Sequence, residues 1–219
     1  GSGIGSNFSV ISADIDGDGD SDIISGGQKI TWHENDGSSN PTFSTNNIET
    51  GNHFFYRVFT ADIDEDGDLD ILASTGGEIF WYENDGATNP SFSKHVIDST
   101  ASSVYAVHAA DIDNDGNIDI AATREESGSA KIVWYKGDGT ANPSFSSNDV
   151  AVLNTGLVRD IFVADIDSDG DLDIASAQGK ETVEWYENNG EANPSWSVNT
   201  ITSSSSNEEK TDVHVADMD

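Results

Sequence analysis

Four short segments of the chain carry aspartate at alternate positions and share the pattern D-x-D-x-D-G-x-x-D, in which x is any residue. They are Asp14–Asp22, Asp62–Asp70, Asp111–Asp119 and Asp165–Asp173. Carboxylates spaced in this way on a tight loop can point at one centre, and Ca²⁺ accepts such oxygen ligands at flexible geometry. The glycine at the sixth position permits the sharp bend that the loop requires. The pattern therefore predicts about four Ca²⁺ ions, one per complete loop.

The predicted ligands stand at positions one, three, five, seven and nine of each loop, and the seventh is expected to contribute its main-chain carbonyl. They are Asp14, Asp16, Asp18, Asp20, Asp22, Asp62, Asp64, Asp66, Asp68, Asp70, Asp111, Asp113, Asp115, Asn117, Asp119, Asp165, Asp167, Asp169, Asp171 and Asp173. Magnesium fits less well because it demands a small octahedron and retains its waters. Zinc and copper are disfavoured, since the chain has no cysteine and no loop contains histidine. A solvated acidic turn is the alternative for a single copy, but four matching copies favour a metal.

The residues that follow the loops distinguish them from EF-hands, which need a glutamate at position twelve and helices on both sides. Position twelve is serine or alanine in every copy, and short apolar runs such as Ile71–Ala73 follow each loop. Apolar runs of this length, closed by glycine-rich turns, are typical of β-strands.

The acidic motif is one part of a longer repeat. Its first aspartates are 48, 49, 54 and 52 residues apart, if the incomplete copy at Asp217 is included. A period near 50 residues is typical of propellers and solenoids. Each unit also has an apolar strand before the loop, an aromatic strand after it and an Asp-Gly or Asn-Gly turn. The aromatic strands are centred on Trp32, Trp81, Trp134 and Trp185.

All four prolines occur at the same point of the unit, shortly before an aromatic residue. Proline cannot donate a hydrogen bond to a strand ladder, so it fits the start of an edge strand. The fourth strand of each unit is therefore predicted to be outermost. Four short antiparallel strands in about 50 residues describe a propeller blade.

We predict an all-β fold and a single β-propeller region over residues 1–219, with four complete blades and the first strand of a fifth. The blades are placed at about 7–50, 54–99, 103–152 and 156–203, and the extra strand at 211–219. The fifth loop contains only Asp217 and Asp219. A partial ring or a part of a larger propeller is expected, and with it self-association or a longer parent chain, because an unclosed propeller exposes an apolar blade face.

The units resemble the FG-GAP/VCBS repeats, which form the blades of integrin-α-like calcium-binding propellers. The resemblance covers nearly the whole chain and rests on the acidic loops, the "ADID" that leads into them and the "WYENDG" that follows. The Phe-Gly and Gly-Ala-Pro motifs after which the family is named are absent, so the units are more similar to bacterial VCBS repeats. The resemblance implies that each calcium loop joins the first and second strands of a blade, opposite the face that meets ligands.

The resemblance also implies a ligand face formed by the loops before the first strand and between the second and third. Its candidate residues here are Tyr56, Arg57, Tyr105, Arg124, Arg159 and Asp160, together with Lys180. Arginine and tyrosine on an acidic body can receive a carboxylate or a sugar. The alternative is that these residues merely vary along solvent-exposed loops.

The composition limits the cellular locations and the classes of binding partner that we expect. The chain has 41 acidic and nine basic residues and a formal charge of −32, so neither nucleic acid nor an anionic membrane is expected as a partner. No apolar stretch reaches the ~18 residues of a membrane helix, so membrane insertion is not expected either. Bound calcium would cross-link the chain in place of disulfides. Loops of this kind match the affinity of about 10⁻⁴–10⁻³ M that extracellular calcium modules have. We predict a secreted or cell-surface location.

The predicted function is a non-catalytic, calcium-stabilised propeller for extracellular adhesion, recognition or assembly, with protein or glycan partners on a cell surface or in the matrix. The alternatives are a structural subunit of a surface filament or giant surface protein, and a propeller-based polysaccharide lyase or hydrolase. The strand tryptophans are expected to pack between blades rather than to bind sugar. The histidines share no spacing that would suggest catalysis, although His108 and His214 occupy the same inner-strand position.

Overall fold

A computed structural model describes residues 9–51, 53–126, 128–153, 157–178, 182–203 and 211–216. Within these residues the chain forms sixteen β-strands and no helix. The strands make four antiparallel sheets, each with four strands in chain order. The prediction of an all-β chain built from four-stranded propeller blades is confirmed, and the four sheets form a partial ring.

The strand bounds repeat from blade to blade. The first blade contains β1 (Ser9–Ala13), β2 (Asp22–Gly26), β3 (Ile30–Asn35) and β4 (Phe43–Glu49). The second contains β5 (Phe55–Ala61), β6 (Asp70–Thr75), β7 (Ile79–Asn84) and β8 (Phe92–Asp98). The third contains β9 (Val107–Ala110), β10 (Asp119–Glu126), β11 (Ser129–Gly137) and β12 (Phe145–Leu153). The fourth contains β13 (Asp160–Ala164), β14 (Asp173–Gln178), β15 (Thr182–Asn188) and β16 (Trp196–Ser203).

The fourth strand lies at the outer edge of every sheet, as its proline predicts. It joins the third strand through a register shift at the same place in each blade, for example between Ile79 and Phe80. The shared shift shows that the four units repeat in detail as well as in strand order.

The apolar core lies between the blades, in three clusters that each join one blade to the next. Trp32, Trp81 and Trp134 are at most 3% exposed and face the following blade. The tyrosines after Trp81 and Trp134 point the other way, so that Tyr82 packs towards the first blade and Tyr135 towards the second. These three tryptophans therefore pack between blades, as expected. Trp185, in the last described blade, is only partly buried.

The first strands face the inside of the partial ring and contribute a row of rings. The centroids of Phe59 and His108 are 4.3 Å apart, those of His108 and Phe162 are 5.2 Å apart, and those of Phe162 and His214 are 4.5 Å apart. His108 is 9% exposed, so the prediction that it replaces an apolar residue of the inner strand is confirmed.

The segment 211–216 lies beside β13 but has no strand assignment. The Val213 amide donates to Asp160 Oδ2 at 3.2 Å, and the ring of His214 contacts Phe162. The predicted first strand of a fifth blade thus has the neighbours of such a strand without the ladder. Asp217, Asp219 and Lys180 lie outside the described residues.

Candidate metal centres

Each acidic loop connects the first strand of a blade to the second. The isoleucine at its second position anchors it, because Ile15, Ile63 and Ile112 are at most 3% exposed and enter the core shared with the next blade. In the "ADID" segment, the buried isoleucine therefore fixes the start of the loop. The aspartates on either side of it can turn towards a common centre.

The carboxylates at positions one, three and five come together in the first three loops, with ligand oxygens within 4.8 Å of one another. These groups are Asp14, Asp16 and Asp18; Asp62, Asp64 and Asp66; and Asp111, Asp113 and Asp115. In the fourth loop the group consists of Asp165, Asp167 and Asp173, while Asp169 is outside it. Such a set of hard oxygens can hold a cation of the Ca²⁺ type.

Hydrogen bonds between side chain and main chain shape each loop, as the second one shows. Asp62 Oδ2 accepts from the Gly67 amide at 3.0 Å, and Asp66 Oδ1 accepts from the Asp68 amide at 3.1 Å. Gly67 has a φ of 102°, a conformation that favours glycine. Glu65, two residues earlier, has a φ of 60°. The main chain thus adopts two left-handed residues so that the carboxylates converge.

The aspartate at position nine is a structural tie, a role that sequence reasoning missed. In the second blade, Asp70 Oδ2 accepts from the Ile63 amide at 2.9 Å and Oδ1 accepts from the Asn84 amide at 2.8 Å. Asp70 is fully buried. The same pair of bonds recurs at the ninth aspartate of the other three loops. This residue therefore joins the loop, the second strand and the end of the third strand, and only in the fourth loop does it belong to the cluster.

Burial has an electrostatic consequence at this tie. It raises the pKa of Asp70 to about 7 and that of Asp119 to about 6, although the two main-chain donors act in the opposite direction. A nearby cation would stabilise the ionised form of a buried carboxylate whose pKa is raised in this way.

The side chain at position seven points away from the cluster, towards the turn between the third and fourth strands. A Cβ on the turn glycine would collide with it in all four blades, as at Gly86 beside the Asp68 carboxylate. The turn glycines also have a φ between 62° and 67°. This position of the side chain explains why the turn contains glycine. The main-chain carbonyl of position seven as a metal ligand stays a prediction.

An asparagine at the end of the third strand connects one blade to the loop of the preceding blade. Asn84 Nδ2 donates to the Ile15 carbonyl at 2.8 Å and to the Leu69 carbonyl at 3.1 Å. Asn188 forms the same two bonds, with Ile112 as the partner in the preceding blade. The asparagine in the "WYEN" segment was the sequence signal for this bridge.

The loops pass a test of their fit to a cation. Asp62 Oδ1 and Asp113 Oδ1 are buried oxygens with no hydrogen-bond partner, and a buried acceptor left in this way is costly. In the third loop the ammonium of Lys136 contacts Asp113 and Asp115, which shows that this carboxylate cluster receives a positive charge. Burial and neighbouring carboxylates raise the pKa of Asp16, Asp64 and Asp167, a repulsion that a cation would relieve.

Two arginines of the predicted ligand face have internal partners. Arg57, within β5, contacts Asp160 at 3.3 Å, and the Asp160 side chain is only 2% exposed. Arg124, within β10, contacts Asp98 at 3.1 Å, and Tyr135 Oη donates to the same carboxylate at 2.7 Å. Arg57, Asp160 and Arg124 therefore hold blades together.

The remaining candidates of the ligand face lie next to one another. The ring centroids of Tyr56 and Tyr105 are 5.6 Å apart, and the Arg159 guanidinium lies 5.1 Å from the Tyr105 centroid. The row crosses three blades at the end opposite the acidic loops. A cleft of about 360 Å³ lies beside it on the second blade, lined by His53, Phe54, Tyr56, Thr75, Gly76, Gly77, Glu78 and Ser99.

The sequence pattern of the FG-GAP-like repeat matches the chain four times, at residues 14–73, 62–122, 111–176 and 165–219. The chain belongs to the FG-GAP-like repeat family. Each match begins at the first aspartate of one acidic loop, and the first three end shortly after the next loop, so the loop and the strands around it carry the family signature. The prediction made from the acidic loops and the "WYENDG" segments is confirmed.

A solved structure with a similar fold is a lectin from Agrocybe aegerita, described as specifically recognising non-reducing terminal N-acetylglucosamine. The two share 21% sequence identity with a TM-score of 0.59. The match covers 88% of this chain and 52% of the lectin, so the chain spans about half the length of this neighbour. No curated protein sequence matches the chain. None of the described segments forms a helix of the length and apolar character needed to cross a membrane.

Proposed function

We propose that this chain is a calcium-stabilised, non-catalytic propeller module that serves recognition, adhesion or assembly outside the cell. The observation that carries the proposal is the cluster of three carboxylates in each of four loops, at the same corner of every blade. The orphaned buried oxygens of Asp62 and Asp113 support a cation at these clusters.

Calcium would supply positive charge, and the chain supplies the rest of the site. The aspartates at positions one, three and five would hold the ion, and the main-chain carbonyl at position seven would add a further oxygen. Since the loop joins the first two strands of a blade, a bound ion would tie those strands together. An ion present at a hundred times its dissociation constant stabilises the folded state by about 2.7 kcal/mol per site. Several sites together would rival the ~5–15 kcal/mol net stability of a domain.

The proposed extracellular setting is supported by the affinity range of calcium modules outside cells. Calcium modules outside cells bind at about 10⁻⁴–10⁻³ M, which matches the calcium concentration there. The formal charge of −32 also opposes compaction unless cations are present.

The non-catalytic role is supported by the use of the candidate acid and base residues. Asp160, the acidic residue that departs most from the repeat, accepts the Val213 amide and pairs with Arg57. Its side chain is buried, and burial, followed by the neighbouring Asp212, raises its pKa. Arg124 is paired with Asp98 in the same way. A polysaccharide lyase or hydrolase would need such groups facing a substrate.

The test of the calcium role is a pair of thermal melts in excess calcium and in EDTA, with magnesium as the control for ionic strength and charge. We expect calcium to raise the melting temperature by ten degrees or more, in line with the mass-action estimate of about 2.7 kcal/mol per site. A variant with Asp16→Asn, Asp64→Asn, Asp113→Asn and Asp167→Asn should lose the response. The matched control is Asp149→Asn on the outer strand β12. Identical melts in calcium and EDTA would end the proposal.

Glycan recognition is the second function that an observation favours. The cleft on the second blade is lined by Phe54, which is 48% exposed, and by Tyr56, and aromatic faces of this kind stack on sugar rings. His53 and Glu78, 3.9 Å apart, add polar groups at its rim. The lectin with a similar fold recognises terminal N-acetylglucosamine, which makes that sugar the first ligand to try.

The test is a calorimetric titration with N-acetylglucosamine and a glycan array. Phe54→Ala should abolish binding, whereas Phe43→Ala, on the outer strand β4 and 43% exposed, should leave it unchanged. Equal loss in both variants, or no binding by the unmodified chain to any glycan, would rule this candidate out.

Assembly is proposed from the last described blade. Trp185 is only partly buried, whereas the equivalent tryptophans of the other blades are covered by the next blade. We propose that a further blade covers this face, and that in its absence a second copy of the chain does so. A monodisperse monomer by light scattering at high concentration, with Trp185 accessible to quenchers, would contradict association.

A further inference from the structure

The third blade has a lysine at a position where the other three blades have glutamate. Lys136 of β11 pairs with Ser146 of β12. Glu34, Glu83 and Glu187 pair with the equivalent serines of their own outer strands. The four side chains therefore start from the same place in the fold, on the third strand and close to the acidic loop.

The lysine reaches into the acidic cluster of its own blade. Its Nζ contacts Asp113 Oδ2 and lies 2.7 Å from Asp115 Oδ2. The side chain of Asp113 is fully buried, and that of Lys136 is 28% exposed. Asp113 and Asp115 belong to the group that, with Asp111, could hold a metal ion. The ammonium thus lies against the same carboxylates that a calcium ion would use.

The contact neutralises part of the charge of the third loop, because a cation lies against two of its carboxylates. Among the described residues, no other lysine or arginine forms an ion pair with the acidic cluster of a loop. The third loop is therefore partly charge-compensated and the other three are not.

The glutamates of the other blades turn towards the outer strand. Glu34 Oε2 accepts from Ser44 Oγ at 2.8 Å, Glu83 Oε2 lies 2.7 Å from His95 Nε2, and Glu187 Oε2 accepts from Asn199 Nδ2 at 3.1 Å. They leave the cluster to the aspartates and add negative charge beside it. The third loop also has Asn117 where the others have aspartate, so its total negative charge is lower again.

We propose that Lys136 is a built-in cation that makes the third loop a weak calcium site, so that this chain takes up calcium at its first, second and fourth loops. The inference rests on the proposed calcium binding and concerns how the sites differ. A calcium ion entering the third loop must first displace the ammonium from two carboxylates, whereas in the other loops it meets only acidic groups. Losing a favourable interaction of this kind corresponds to about tenfold or more in affinity.

The experiment is a calcium titration of the 219-residue chain by calorimetry, with native mass spectrometry to count the ions at each free calcium concentration. We expect three ions of similar affinity and a fourth that binds about tenfold more weakly or not at all. Lys136→Glu gives the third blade the residue of the other blades and should bring the fourth site to within about threefold of them.

The matched control is Lys131→Glu. Lys131 is on the same strand, and its ammonium contacts Glu126 and Asp149 at 3.0 Å rather than the acidic loop, so the charge change is the same at a different place. This variant should still bind three ions tightly. Four equal sites in the unmodified chain, or equal behaviour of the two lysine variants, would overturn the inference and leave the proposed function intact. No calcium at any loop would overturn both.

A second measurement does not require calcium. In EDTA, Lys136→Gln should lower the melting temperature, because Asp113 loses its cation, whereas Glu83→Gln should leave it unchanged or raise it. If Lys136→Gln melts at the same temperature as the unmodified chain, the ammonium does not compensate the loop and the inference fails.

Discussion

The second and third blades have the same strands and the same acidic loop but differ in how the loop is neutralised. Both have an aspartate at position nine that is fully buried and accepts two main-chain amides. Among the equivalent positions where they differ, the second blade has Phe59, Asp68, Glu83 and Asn84 and the third has His108, Asn117, Lys136 and Gly137. The comparison shows that the shape of the loop and the charge of its carboxylate cluster are separate properties, although one sequence motif contains both.

The first property is the shape of the loop, which the main chain and the ninth aspartate produce. The second is the charge of the cluster, which the third strand adjusts. In the third blade Lys136 reaches two carboxylates of the cluster. Under the proposed calcium role, the second blade would leave its carboxylates to an external cation. Loops of the same shape would then differ in how much they depend on an ion.

The largest effect that would test this comparison is the removal of calcium. Three sites at about 2.7 kcal/mol each amount to about 8 kcal/mol, which corresponds to on the order of 20 °C in melting temperature for a chain of this size. Hydrogen exchange in EDTA should show β5 and β6 losing protection before β9 and β10. Uniform loss of protection across all four blades would show that Lys136 does not make the third blade independent of the ion.

The second effect concerns the buried aspartate at position nine of the loop, which accepts two main-chain amides in both blades. Asp70→Ala should destabilise the chain by about 3 kcal/mol even in EDTA, because two buried main-chain donors lose their acceptor. Asp119→Ala should cost a similar amount, since the third blade has the same bonds. Urea unfolding measures both.

The control for this pair is Asp66→Ala, which removes a cluster carboxylate that is exposed and is not a tie. In EDTA it should change the free energy of unfolding by less than about 1 kcal/mol, and in calcium it should weaken its own site far more than the other sites. If Asp66→Ala cost as much as Asp70→Ala in EDTA, the separation between shape and charge would be wrong.

A smaller effect is expected from making the second blade resemble the third. Glu83→Lys should bring an ammonium to Asp64 and Asp66 and weaken the second calcium site by about tenfold, or about 1.4 kcal/mol. Titration should then show one tight ion fewer, with the other sites unaffected. An unchanged ion count would mean that the lysine needs another feature of the third blade, of which Asn117 is the nearest.

The smallest effect comes from the inner strands. Burial, followed by the charge of Arg57, lowers the pKa of His108 to about 4. Its contribution to stability is complete above the unfolded value of about 6.5 and is lost as the pH falls from there through 4. His108→Phe, which copies Phe59, should remove that loss and also the unpartnered Nδ1, a gain of about 1 kcal/mol at pH 5.

The control for the histidine is His53→Phe, because the side chain of His53 is 45% exposed. Chemical unfolding at pH 7 and pH 5 should show a flatter pH dependence for His108→Phe alone. Parallel curves for both variants and the unmodified chain would assign the acid sensitivity to other groups.

Much of the fold was predictable because each unit repeats its chemistry. Spacing identified the blades, Pro41, Pro90, Pro143 and Pro194 identified the outer strands, and alternation placed three of the tryptophans between blades. Local patterns of this kind reach the structure directly because strand periodicity decides which face a side chain occupies.

The parts that could not be predicted depend on contacts between distant segments. The role of Asp70 needed the positions of the Ile63 and Asn84 amides, and the pairing of Arg57 with Asp160 joins residues far apart in the chain. Lys136 was visible in the sequence as the exception in "WYKG". Its meaning required the distance from its Nζ to the aspartates, which no spacing rule supplies.

The asparagine bridges make the junctions between blades unequal. Asn84 ties the first loop to the second blade and Asn188 ties the third loop to the fourth blade, but Gly137 has no side chain with which to tie the second loop to the third blade. That junction is fastened at its other end, where Arg124 and Tyr135 meet Asp98. In a linear array, stability is the sum of each unit and its links to neighbours. The described asparagine bridges therefore divide the four blades into two pairs, and the junction between the pairs depends on the contacts of Asp98 instead.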